Sequence, residues 1–168
     1  MNQLGDLLQK ARNSKWNMWI LNWKLHQLIP FNKPHNIRVT EIMDDGVTIS
    51  AKFKKANKNH INGIHACLLA TISEYATGLT LLSKLPSKQY RLILKSIAIE
   101  YHYQAKSDVS ATFTITHDQM NDILNRLKNT EKTLEEVTVH VYDLSHNHIC
   151  TTKVNWQLKN WDAVKTKK

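Results

Sequence analysis

The segment Asn59-His60-Ile61-Asn62-Gly63-Ile64-His65-Ala66-Cys67 leads from a polar loop into a long apolar stretch whose one acid before Lys84 is Glu74. At helical spacing, Gly63, Cys67, Thr71, Glu74 and Gly78 share one lane, and all but Glu74 are small. A carboxylate in such a lane is stripped of water and needs a partner to offset that cost. The start of the helix offers backbone N–H groups near Ala66, which suit an anion or a developing oxyanion. Gly78 in mid-helix costs about 1 kcal/mol relative to Ala and predicts the close approach of another backbone or of a ligand.

Several elements must hold these groups in place. Leu4–Arg12 and Lys15–Leu28 have helical spacing, the second through Trp16, Trp19, Ile20 and Trp23, before Pro30 and Pro34 interrupt it. That aromatic stripe is expected to pack onto the domain, and the alternative is a helix lying on a membrane surface. Ile37–Met43 and Val47–Phe53 flank Asp44-Asp45-Gly46 and read as a hairpin. The helix with Glu74 is expected over Gly63–Leu82, with Ile64, Leu68, Ile72, Tyr75, Leu79 and Leu82 on one stripe. Arg91–Tyr103 and Val109–Thr116 read as strands joined around Lys106-Ser107-Asp108. A short helix over His117–Lys128 is capped by Thr116, and alternating strands follow over Glu136–Leu144 and Ile149–Leu158. The order indicates an α+β domain: one long helix against an antiparallel sheet of five or six strands, with residues 1–34 as a helical extension and 35–168 as the main domain.

The chain has 168 residues, 42% of them hydrophobic and 22% charged, enough for one folded domain. Cys67 and Cys150 lie far apart, which excludes a disulfide-stapled scaffold and favours a reduced compartment. The first residues lack the pattern of a signal peptide, and Met18–Leu21 is far too short to span a bilayer, so a cytoplasmic protein without integral membrane association is expected. Lys+Arg total 23 against 14 Asp+Glu, a net +9. Residues 1–36 carry five basic residues and one acid, and residues 146–168 the same, including the Lys165–Lys168 tail. The remaining 37–145 are close to neutral, which argues against nucleic acid as the partner.

With Asn59, His65 and Glu74 at these spacings, the chain resembles the hotdog-fold thioesterases, and most closely their DUF4442, PaaI-like branch. The likeness runs in outline from Ile37 to Leu158. In such acyl-CoA thioesterases an Asn precedes the central helix, a His-Gly-Gly opens it, and an acid follows two and a half turns later. The matching positions are Asn59, His65-Ala66-Cys67 and Glu74. The resemblance implies a homodimer, or a dimer of dimers, with two sites across the interface. Glu74 would act as general base or nucleophile on an acyl thioester, and Asn59 would orient water or carbonyl. The Ala66 N–H would hold the oxyanion, with His65 hydrogen-bonding beside it. Coenzyme A would enter as part of the substrate, with no separate cofactor, and Lys54, Lys55 and Lys58 would meet its phosphates. A non-catalytic acyl-CoA binder on the same fold is the alternative. Glu74 could also be a structural acid paired in the interface.

Other candidates are weaker. Cys67 reads as a small core residue. His146-Asn147-His148, with His140 near in sequence, lacks an accompanying carboxylate or Cys at ligand spacing, so no metal site is expected. No GxGxxG or P-loop motif occurs.

Overall fold

The computed structural model describes residues 3–86 and 88–164. Three helices come first: α1 (Gln3–Arg12), α2 (Lys15–Leu28) and the single turn α3 (Asn32–His35). The hairpin β1 (Arg38–Ile42) and β2 (Gly46–Ala51) leads to the long helix α4 (Ala66–Lys84). Then follow β3 (Tyr90–Tyr101), β4 (Val109–Thr114), α5 (His117–Asn129), β5 (Lys132–Asp143) and β6 (His148–Asn160). All six strands form one antiparallel sheet in the order β1-β2-β4-β5-β6-β3.

The sheet wraps α4. Val47, Ile49, Ala111, Val141, Val154 and Leu158 point inward and are buried against Leu68, Leu69, Ile72, Ala76 and Leu79 of the helix. From Tyr75 to Leu81 α4 is buried all round rather than on one stripe. It has the length and apolarity of a membrane span, but its burial beneath the sheet makes it a core helix. Its hydroxyls are used internally: Ser73 donates to the Leu69 carbonyl at 2.9 Å, and Thr152 of β6 donates to Ser73 at 3.0 Å.

Pairing of β3 and β4 differs from the expected neighbourly arrangement. The 106–108 connection is a crossover, because β3 pairs with β6 and β4 sits between β2 and β5. This places β3 at the sheet's edge, with a bulge between Leu94 and Ser96. At the hairpin, β2 and β4 approach closely: a Cβ on Gly46 would lie 1.9 Å from the Phe113 carbonyl oxygen, so only glycine fits.

The expected packing face of α2 is also corrected. Trp16, Trp19 and Trp23 are exposed, and Leu21, Asn22 and Leu25 are buried instead. Asn22 explains the choice. Its amide donates to the Val39 carbonyl and accepts from the Val39 N–H, both at 2.9 Å, so it satisfies a backbone site on the outer edge of β1.

Thr116 caps α5 as expected. Its hydroxyl accepts from the Gln119 N–H, and the Gln119 side chain accepts in return from the Thr116 N–H. Thr116→Ala is expected to cost about 1 kcal/mol. Urea unfolding at unchanged m-value would show it, and an unaltered midpoint would deny the cap a role.

Candidate active site

The loop before α4 is assembled by two asparagines with different tasks. Asn57 is buried and was not singled out by the sequence pattern. Its Nδ2 donates to the carbonyls of His35 and Lys52, both at 2.8 Å, and its Oδ1 meets His35 Nδ1 at 3.0 Å. Its own carbonyl accepts the His65 N–H at 2.9 Å. Asn57 therefore ties α3, the end of β2 and the start of α4 together. Asn59 folds the next turn: its Oδ1 accepts from the N–H groups of Ile61 (3.1 Å) and Gly63 (3.0 Å). Its acceptor oxygen is thereby occupied, and Nδ2, 3.5 Å from the Ile64 carbonyl, is the end that can still donate.

α4 begins at Ala66 rather than Gly63, because His65 is its cap. His65 Nδ1 accepts from the Cys67 N–H at 3.1 Å, which leaves Nε2 as the protonated donor. The Leu68 N–H goes to the His65 carbonyl at 2.9 Å. The Ala66 N–H has no acceptor among the described residues, and His65, Ala66 and Cys67 are all exposed. Cys67 is thus a surface residue, contrary to the expected core role: the first turn of α4 projects beyond the sheet, whose cover begins at Leu68. Tyr101, near the end of β3, reaches this turn and donates to the Ala66 carbonyl at 3.3 Å.

Glu74 lies two turns further on, facing a cavity of about 660 Å³. Leu25, Leu28, Ile29 and Phe31 form one wall. Leu92, Ile93 and Leu94 of β3 and Trp156 of β6 form another. Thr71, Glu74, Tyr75 and Gly78 of α4 lie along it. Glu74 is the only acidic or basic side chain in a lining that is otherwise apolar apart from Asn32, Thr71 and Tyr75. Among the described residues no hydrogen bond or ion pair reaches its carboxylate, and burial raises its pKa above the ordinary 4.5. Burial likewise raises the neighbouring Tyr75 phenol, against a smaller opposing effect from nearby Asn32.

Gly78 makes room for a side chain rather than for another backbone. A Cβ there would stand 2.9 Å from the Trp156 ring. The indole Nε1 donates to Thr77 Oγ1 at 3.0 Å, so the ring is held at both ends.

The loop lysines have local partners. Lys54 donates to the Pro34 carbonyl at 2.9 Å, and the Lys58 ammonium sits 4.0 Å from the centre of the Phe53 ring. Neighbouring Lys52 pairs with Asp108 at 2.6 Å, and Lys55 is exposed. The Lys165–Lys168 tail lies outside the described residues. His148 does meet His140, with ring centres 5.1 Å apart, and also His102 at 4.5 Å. Among the described residues no group of three His, Cys, Asp or Glu could hold a metal ion.

A long helix wrapped by a six-stranded antiparallel sheet defines the hotdog fold, and solved structures share it. The probable thioesterase PA5026 of Pseudomonas aeruginosa superposes with a TM-score of 0.76 at 18% identity, over 80% of this chain and 90% of that one. The thioesterase HI1161 of Haemophilus influenzae gives 0.65 at 10% identity, over 86% and 94%. A variant of the thioesterase SAV0944 of Staphylococcus aureus gives 0.62 at 14%, over 77% and 98%. No curated protein matches the sequence. The chain belongs to the DUF4442 family, a domain of unknown function whose profile matches residues 17–158 and so takes in most of α2 as well as the sheet.

Proposed function

We propose that this protein is an acyl thioester hydrolase, acting on acyl-CoA, with Glu74 as the catalytic carboxylate. One observation carries this reading: a lone carboxylate, unpaired and partly desolvated, set in an apolar cavity large enough for a small-molecule chain. An acid that is structural within this chain would have a cation beside it, and none of the described residues supplies one. A carboxylate whose basicity is raised by burial suits proton abstraction from water near neutral pH.

In this reading Glu74 takes a proton from water as its oxygen attacks the thioester carbonyl carbon. The tetrahedral oxyanion collapses, the C–S bond breaks, and the thiolate leaves with the proton that Glu74 returns. Oxyanion binding falls to the open Ala66 N–H, but within one chain it lies eight residues from Glu74, about 12 Å along the helix. One carbonyl cannot touch both. The site is therefore completed by a second copy of the chain, in which Ala66 of the partner subunit faces Glu74. Asn59 contributes through Nδ2, as a donor to the carbonyl, because its oxygen is already occupied. His65 Nε2 donates from the same side, and Lys54, Lys55 and Lys58 flank the entry of the CoA phosphates.

The edge of the sheet supports the dimer. β3 is twelve residues long, with Ile93 and Leu94 exposed and its outer edge unpaired among the described residues. Such an edge invites strand pairing unless it is covered. Edge-to-edge pairing would also bring a second chain to the β3 wall of the cavity.

A panel of acyl-CoA chain lengths with a free-thiol readout tests the proposal, alongside sedimentation of the protein. Turnover above background by a dimer or larger assembly is the expected result, with Asn59→Ala slower by about a hundredfold. Binding without cleavage would instead establish the non-catalytic acyl-CoA binder, and a strict monomer that turns over would remove the shared site.

A further inference from the structure

α2 is apolar on two faces, and the fold uses only one of them. Trp16, Trp19 and Trp23 are 68%, 56% and 52% exposed. At the helical angle per residue they fall within an arc of about 60°. Trp16 and Trp19 stack with ring centres 5.3 Å apart. Three exposed indoles on one helix form an apolar patch of the kind that marks an interaction surface. Lys15 and Lys24 lie on opposite flanks of the arc.

A groove of about 400 Å³ runs beside the patch, between α2 and β1. Trp19 and Trp23 line it together with Lys15, His26 and Arg38, and no carboxylate does. Glu41, the acid of β1, accepts a hydrogen bond from Thr48 within the hairpin. The next part of the same helix, Leu25 and Leu28, lines the Glu74 cavity. The aromatic patch and the cationic groove thus adjoin on one side of α2, while Leu25 and Leu28 meet the cavity from the other side.

We propose that this face docks on an anionic phospholipid bilayer, with the indoles at headgroup depth and Lys15 and Arg38 on lipid phosphates. Tryptophan favours the membrane–water interface because its ring is apolar while its N–H can still be hydrated. Flanking lysines add attraction to an anionic leaflet, and the first 36 residues carry five basic residues against one acid. Aromatics with basic residues also serve single-stranded nucleic acid. Trp16 and Trp19 already stack on one another, which takes up ring faces that bases would need, and this favours lipid.

Flotation of the full chain with vesicles tests this, using phosphatidylcholine alone and phosphatidylcholine mixed with phosphatidylglycerol. Binding to the mixed vesicles is expected, with a blue shift of tryptophan emission and weakening by salt. The Trp16→Ser/Trp19→Ser/Trp23→Ser and Lys15→Glu/Arg38→Glu variants should each lose at least about tenfold in partitioning. An unchanged thermal unfolding midpoint would show both variants folded. The proposal is overturned if wild type does not float, if the tryptophan variant floats equally well, or if a single-stranded oligonucleotide displaces the protein from vesicles. Dissociation of the wild-type oligomer by the tryptophan variant would overturn it too, by showing that a second copy covers the face. None of these residues belongs to the hydrolytic machinery, so vesicle binding and thioester turnover can fail independently.

Discussion

Replacing Glu74 by Gln is expected to lower thioester turnover by about a thousandfold while raising stability at neutral pH. The two effects have one cause. The carboxylate is held by burial in an apolar cavity without a partner among the described residues, so its ionised form is costly in the folded chain and chemically useful. Gln keeps the volume and removes both the charge and the base. The sign of the pH dependence follows from the raised pKa. Between the unfolded value and the higher folded value, the native state binds more protons than the unfolded state, so this group's contribution falls as pH rises. Wild type and Glu74→Gln should converge below about pH 4, and the variant should gain through the window above 4.5. The acid limb of the rate profile should also lie above 4.5, because turnover needs the ionised form. Denaturation at several pH values and a pH–rate profile measure both. A variant with full activity, or one less stable than wild type at neutral pH, would identify Glu74 as a structural acid paired across subunits.

The second large effect is expected at Trp156. Its ring is buried, fits the space left by Gly78 and donates to Thr77, whose own hydroxyl reaches the Glu74 carbonyl at 2.9 Å. Trp156→Ala should cost about 4 kcal/mol by opening a void beside α4. Trp156→Phe, which fills much of that void but cannot donate, should cost about 1–2 kcal/mol. Because the ring also lines the cavity, the alanine variant should accept longer or bulkier acyl chains if it remains folded. The midpoint of urea unfolding decides the first point and the chain-length panel the second. A loss below about 1 kcal/mol for the alanine variant would mean that the cavity wall collapses without the ring.

What the sequence revealed depended on whether the determining interactions were local. The Thr116 cap and the α4 segment were legible because hydroxyl, periodicity and helix start lie within a few residues of one another. Glu74 stood out as a single acid in an apolar helix. The buried face of α2 was not legible, since a polar residue, Asn22, decides it by bonding a strand seventeen positions away. Hydrophobic spacing selected the tryptophans, which face outward. Asn57 was equally hidden, as its partners come from three separate segments. The pairing of β3 with β6 joins strands on either side of two other strands and a helix, and alternation within each strand carries no information about that choice. The cavity itself has no sequence signature, because it forms only where α2 and the following loop, α4 and the sheet edge come together.

That last property separates two kinds of specificity in the molecule. The acid belongs to α4 and is set by the packed sheet around it, whereas much of the surface that would gauge an acyl chain comes from Leu25, Leu28, Ile29 and Phe31, ahead of the first strand. Under the proposed function, size selection and bond breaking would therefore reside on different stretches of chain, joined at a seam. Substitutions along α2 and its exit loop can retune which chain fits while leaving the packing that sets Glu74's basicity untouched.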